Sequence, residues 1–374
     1  MKRILLALLL CCSMLLTGCS SLLDRSYLSV TPHARLPVAD DTDAIWVETY
    51  SELVNAILGL VSDHQEKGTI RLRNWKGDVR QDLTRACDEV SHDDPLGAYA
   101  VDRIKPDYTR MVTYYEATVA IDYRRTAEQI ASVTSVTGSG AIRGELRDAL
   151  SGFVTETAFR VNYFDESQGA DYFPRLLQKA YYDVPAAALG MPEIAVTLYP
   201  DSGRQRVAEI TLTYPEDPHV LREKSEAVTA AAQELARPYR TGLRDNALAQ
   251  ALYGALIQDT ASRQKASGDS VAAAGSTAYA ALVAGSADSE GFALAYKLLC
   301  DLSGVECTVV AGSLEGAARY WNIVTIDNLH RHVDPFRPDE GLFLTDAQMS
   351  AAGFTWDTAE YPACGETFSE TGET

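Results

Sequence analysis

Apolar positions fall at two distinct periods along the chain. Tyr50–His64 carries Leu53, Ile57, Leu60 and Val61 on one helical face. Thr69–Trp75 alternates as a half-buried strand does and is broken by Gly77. Arg80–Val90 is again helical, Pro95–Val101 reads as a loop with apolar contacts, and Val112–Tyr123 as a β-rich run. The same order returns further on. Gly144–Val154 predicts a helix, Thr157–Phe164 a strand and Ala170–Tyr182 a helix. Ile194–Tyr199 and Val207–Tyr214 then predict a pair of strands with Asp201-Ser202-Gly203 at their turn. The parallel extends to Pro95-Leu96-Gly97-Ala98-Tyr99 beside Pro185-Ala186-Ala187-Ala188-Leu189. It places Ile210–Tyr214 where Val119–Tyr123 stands. Two copies of a small α/β unit are the expectation, with two unrelated α+β pieces as the alternative.

Two helices follow, Pro218–Gly242 and Asn246–Arg263. Beyond them Ser286–Gly291 is a small-residue turn, and Phe292–Leu302 places Phe292, Ala295, Leu298, Leu299 and Leu302 at helical spacing. Gly304 is a helix stop. Cys307–Ala311, Asn322–Ile326 and Leu329–Val333 predict strands.

Three short motifs lie on these last elements: Ser289-Glu290-Gly291-Phe292-Ala293, Arg319-Tyr320-Trp321-Asn322 and His332-Val333-Asp334. Together with Phe343-Leu344-Thr345-Asp346 and Tyr361-Pro362-Ala363-Cys364, they resemble the papain-like core of the transglutaminase-like superfamily. The resemblance covers roughly the C-terminal two-fifths of the chain. It implies an α+β fold in which a C-terminal transglutaminase-like domain is preceded by the two related α/β units. In that family the three motifs supply a cysteine nucleophile, a histidine base and an aspartate that orients the base. Here those positions hold Ser289, Arg319 and Asp334. A serine hydroxyl needs a base to take its proton, and arginine stays protonated at every working pH. The resemblance therefore implies a scaffold whose catalysis is lost. Arg319 and Asp334 are expected as a partly buried, bidentate ion pair, the alternative being an outward Arg319 that captures a ligand carboxylate. Trp321 is expected in the core or as a cleft wall. His330, His332 and Asp334 alternate on one strand, so His332 is a candidate rescue base.

The chain opens with Met1-Lys2-Arg3, an apolar run from Ile4 to Leu16 and then Leu16-Thr17-Gly18-Cys19. A basic start, a short apolar stretch and small residues before the break describe a secretory signal. The ending resembles the lipobox of bacterial lipoproteins, which implies lipidation at Cys19 and attachment to a bacterial membrane on its extracytoplasmic side. The alternative is an ordinary signal peptide with a chance cysteine. The expected divisions are a signal at 1–18, a tether at 19–45, α/β units at 46–125 and 126–217, the transglutaminase-like domain at 218–365 and a disordered tail at 366–374.

Charge and cysteine content narrow the partners. The net charge is −19 at pH 7, and it becomes more negative once Lys2 and Arg3 leave. Such a surface repels nucleic acid, and no nucleic-acid partner is expected. No Cys-x-x-Cys or His-Glu-x-x-His spacing occurs among the seven cysteines and six histidines, so neither metal nor cofactor is expected. Cys300 and Cys307 can bridge if their Cβ atoms face each other. Three functions stay open. One is a membrane-anchored binding protein for protein, peptide or cell-wall ligands. The second is a hydrolase or acyltransferase using Ser289 with an unconventional base. The third is an assembly factor whose C-terminal domain is a spacer.

Overall fold

The computed structural model describes residues 44–165, 167, 169, 171–243, 245–267, 275–338 and 341–365. The expected signal, Cys19, the expected tether up to residue 43 and the expected tail lie outside them. Among the described residues, no helix is long and apolar enough to cross a membrane. The protein is α+β, and the residues from Trp46 onward form one compact unit.

The first sheet is built from β1 (Ala44–Val47), β2 (Lys67–Arg73), β3 (Val101–Arg110) and β4 (Tyr114–Tyr123), in the order β1-β2-β4-β3. Helix α1 (Tyr50–Ser62) joins β1 to β2, and α2 (Val79–Asp88), a π-helical turn (Glu89–Asp93) and α3 (Pro95–Ala100) join β2 to β3. Thr49 and Glu52 close a capping box at the start of α1, and that helix buries Leu53, Ile57, Leu60 and Val61 as its spacing requires.

A second sheet repeats the arrangement. After the single-turn α4 (Ala127–Ala131) come β5 (Thr134–Val136), α5 (Gly138–Gly152), β6 (Glu156–Val161), α6 (Tyr172–Asp183), β7 (Glu193–Tyr199) and β8 (Arg206–Thr213). Their sheet order is β5-β6-β8-β7. Strand, helix, strand, helix and hairpin thus recur with the same sheet order.

Two local expectations are corrected. Pro95–Ala100 is a helix, not a loop, because the Asp94 carboxylate accepts from the Leu96 and Gly97 amides and Pro95 needs no amide partner at the first turn. Val112–Tyr123 is half of a hairpin. Its partner β3 escapes a pattern search because Asp102, Arg103, Lys105, Pro106 and Asp107 interrupt the apolar alternation on an exposed edge.

The last part contains α7 (Pro218–Ala236), α8 (Asp245–Ser267), α9 (Ser289–Ser303) and a sheet ordered β11-β10-β9-β12. Its strands are β9 (Glu306–Leu314), β10 (Ala317–Ile326), β11 (Leu329–Val333) and β12 (Phe354–Trp356), with α10 (Asp346–Ala351) before β12. Helix α9 is buried continuously from Gly291 to Cys300, so it is the central element and not a surface one. Its one buried cation, Lys297, is held by both Asp301 carboxylate oxygens at 2.9 and 3.0 Å and by the Cys307 carbonyl at 3.1 Å.

Packing is continuous across the divisions read from the sequence. One core joins Phe159, Leu176, Leu177 and Ile210 of the second unit to Leu294, Tyr296 and Leu299 of α9. The core under the first sheet reaches Ala158 and Val207 on the second. A third cluster, containing Trp321, Ile323, Met349, Phe354 and Cys364, lies on the face of the last sheet turned from α9. Cys300 and Cys307 are free, buried thiols. Burial raises the Cys300 thiol well above its ordinary value, and its hydrogen bond with Cys307 adds to the rise.

Candidate functional site

The start of α9 is fixed by its cap. Asp288 accepts from the Glu290 amide at 2.9 Å and the Gly291 amide at 3.0 Å, which extends the helix one turn before the apolar pattern begins. A side chain at Gly291 would meet the Gly275 and Thr277 carbonyls at 2.7 and 2.8 Å, so the neighbouring segment can cross the helix here only over glycine. Ser289 is the first helical residue. Its Oγ accepts from the Tyr320 amide of β10 at 3.3 Å, which places it beside Arg319.

Arg319 donates to the Asp334 carboxylate at 2.7 Å, with 13% of the arginine side chain exposed and none of the aspartate. The Phe336 amide donates to the other Asp334 oxygen at 3.0 Å. The guanidinium lies over the Phe336 ring at 4.5 Å, and that ring meets Phe292 of α9 edge-on at 5.5 Å. Ser289, Arg319 and Asp334 therefore belong to one constellation. The bidentate contact expected between the ion pair is corrected to a single prong. Phe336 occupies the second oxygen, and Arg319 Nε is buried without a hydrogen-bond partner. Burial raises the Asp334 carboxyl above its ordinary value, while Arg319 and the Phe336 amide act against that rise.

His332 and Trp321 are elsewhere. Asn322 donates to the Ala293 carbonyl of α9 at 3.0 Å, so its face of β10 is the helix face. Val333 is registered against Asn322, and His332 against Ile323, which belongs to the cluster on the opposite face. The alternation that aligns His332 with Asp334 in the sequence ends at Val333, where β11 stops and the chain turns. His332 is fully buried. Its Nδ1 accepts from the Trp321 indole at 2.9 Å, and its Nε2 donates to Asp346 at 2.8 Å. Both ring nitrogens are thus committed on the far side of the sheet, and the rescue-base expectation is corrected. Trp321 is fully buried as well, edge-on to Phe354 and Trp356, so it is a core residue and not a cleft wall.

Among the described residues, donor atoms of His332, Asp346 and Cys364 lie within 4.8 Å of one another. Their protons do not fit a metal. An indole N–H can only donate, so the Nδ1 lone pair is taken and Nε2 carries the ring proton. Asp346 receives that proton's hydrogen bond and one from the Cys364 amide, and burial pushes the Cys364 thiol up to about 12.

Three residues of the site were not identified as such from the sequence. Tyr182 on α6 donates to Glu290 at 3.0 Å, and its ring lies 6.0 Å from that of Tyr320. Burial raises the Glu290 carboxyl, with the Tyr182 hydrogen bond opposing, and burial also raises the Tyr182 and Tyr320 phenols. Glu290 is visible beside Ser289, but nothing local marks Tyr182, which arrives from the second unit.

No family model matches the chain, and no curated protein matches it. A solved structure described as a crystal structure of a TGase is similar to it at 13% identity. The match covers 59% of this chain and 64% of that one, with a TM-score of 0.24.

Proposed function

We propose that this chain is an extracytoplasmic lipoprotein, anchored to a bacterial membrane through Cys19. Its 218–365 domain is transglutaminase-like, does not catalyse, and binds a protein, peptide or cell-wall ligand. One observation carries the loss of catalysis: Ser289 Oγ meets a backbone amide, while the neighbouring base position holds Arg319 in an ion pair with Asp334. A hydroxyl whose hydrogen bond comes from an amide, with no side-chain acceptor bonded to it among the described residues, stays a hydroxyl. Arg319 cannot take the proton, and both Asp334 oxygens are occupied. The Leu16-Thr17-Gly18-Cys19 sequence supports the anchor.

A second reading rests on Glu290, the carboxyl next to Ser289 whose affinity for protons is raised. In it, Ser289 is the nucleophile of a hydrolase or acyltransferase and Glu290 is the unconventional base. Amide and ester hydrolysis and transamidation by the purified full chain decide between the two. The expected result is a rate equal to that of Ser289→Ala and to buffer. Turnover by the wild type that is lost in both Ser289→Ala and Glu290→Gln establishes the second reading instead.

A further inference from the structure

The two α/β units carry an internal comparison at one edge. β3 and β7 hold the same place, each the outer strand of its sheet and each hairpinned to the strand beside it. An exposed edge is a template for another strand, and charges or proline along it normally prevent pairing. β3 is defended in this way by Asp102, Arg103, Lys105, Pro106 and Asp107. β1, β5 and β12 are only four, three and three residues long. The outer side of β11 is taken by reciprocal backbone hydrogen bonds between His332 and Leu344. β7 has none of these protections. It runs Glu-Ile-Ala-Val-Thr-Leu-Tyr with one charge at its first residue, and among the described residues its backbone bonds only to β8.

From this contrast we infer that β7 is an interface for a second copy of this chain, paired antiparallel across a two-fold axis centred on Val196. That register pairs all seven residues before Pro192 and Pro200 end the ladder. Ile194 then lies opposite Leu198 of the second copy and Val196 opposite its own equivalent. The half-buried apolar row Ile194, Val196 and Leu198 is thereby continued by an identical row. On the other face, the exposed Ala195 lies opposite the exposed Thr197. Glu193 meets Tyr199 and not the other Glu193, so no like charges are opposed within the ladder. The strand is its own complement, which an arbitrary extended peptide is not. A single strand pair covers less surface than a standard stable interface, so the dimer is concentration-dependent.

The two exposed positions give a test of register. In Ala195→Lys/Thr197→Lys both pairs between positions 195 and 197 become lysine against lysine. In Ala195→Lys/Thr197→Glu the same sites become lysine against glutamate. Sedimentation equilibrium on the full chain should show a wild-type dimer. The first variant should weaken it by about tenfold or more, and the second should stay within about threefold of wild type. Circular dichroism confirms that both variants are folded. A wild-type monomer over the whole concentration range overturns the inference, as do two variants that weaken the dimer equally. Neither result bears on the proposed loss of catalysis.

Discussion

Trp321 donates its indole hydrogen to His332 Nδ1 at 2.9 Å, and this one contact decides where the imidazole keeps its proton. The ring must present hydrogen at Nε2, where Asp346 receives it. Further protonation would put a second hydrogen at Nδ1, facing a donor that has no lone pair to offer. Burial, the larger cause, holds His332 below the ordinary histidine value, although Asp346 works the other way.

The pH dependence of this histidine follows from that direction. Its folded state favours the neutral ring, and unfolding exposes an ordinary imidazole. Its stabilising contribution is therefore complete above a pH of about 6.5 and shrinks as the pH falls below that value. His332→Gln should melt below wild type at pH 8, and the gap should narrow by pH 5. Comparing the two proteins removes the carboxyls Glu290 and Asp334, whose raised values act in the opposite sense. A gap that is constant across this range would contradict the tautomer described.

Arg319 and Asp334 depend on one another. Breaking a buried ion pair from one side strands the remaining charge, at a cost of about 3–5 kcal/mol, and the partial exposure of Arg319 points to the lower end. Arg319→Ala should lose about 3 kcal/mol in urea denaturation. Ser289→Ala, which removes one acceptor of a 3.3 Å contact, should lose less than about 1.5. The Arg319→Ala/Asp334→Ala double variant should cost less than the sum of its singles. Strict additivity would mean that the pair contributes nothing.

Chemical repair tests the proposed history of the site. Ser289→Cys supplies a better nucleophile, but Arg319 keeps its proton and cannot pass one to a leaving amine, so this variant should be silent on amides. Ser289→Cys/Arg319→His restores both groups and should release product above the Ser289→Cys background. Activity in the single variant, with none gained by the pair, would show that Arg319 is not the lost base position.

The anchor is tested by fractionation. Cys19→Ala should shift the protein from the membrane pellet to a soluble or unprocessed form. Unchanged pelleting of a cleaved Cys19→Ala protein would remove lipidation from the proposal.

How much was legible depended on whether a residue's environment was local. The central helix was readable because its apolar positions recur every three to four residues, and Asp288 extends it by a turn that periodicity does not report. Strand alternation correctly gave β11, yet it misplaced His332 when carried one residue beyond the strand's end to Asp334. β3 was unreadable because the charges that protect an edge erase the pattern that identifies a strand. The Arg319–Asp334 contact was legible from paired motifs, but its single prong depends on the Phe336 amide. Tyr182 lies over a hundred residues from Glu290, and only the tertiary fold brings the two together.

The shared core beneath α6 and α9 also bears on how this chain can be divided. Leu176 and Leu177 share that core with Leu294 and Leu298. A fragment beginning at Pro218 would preserve every motif around Ser289 and still expose apolar surface of the core that it shares with the second unit. It would also lack the phenol of Tyr182 that holds Glu290. What looks in the sequence like a detachable C-terminal module is, physically, one wall of a room whose opposite wall belongs to the preceding unit.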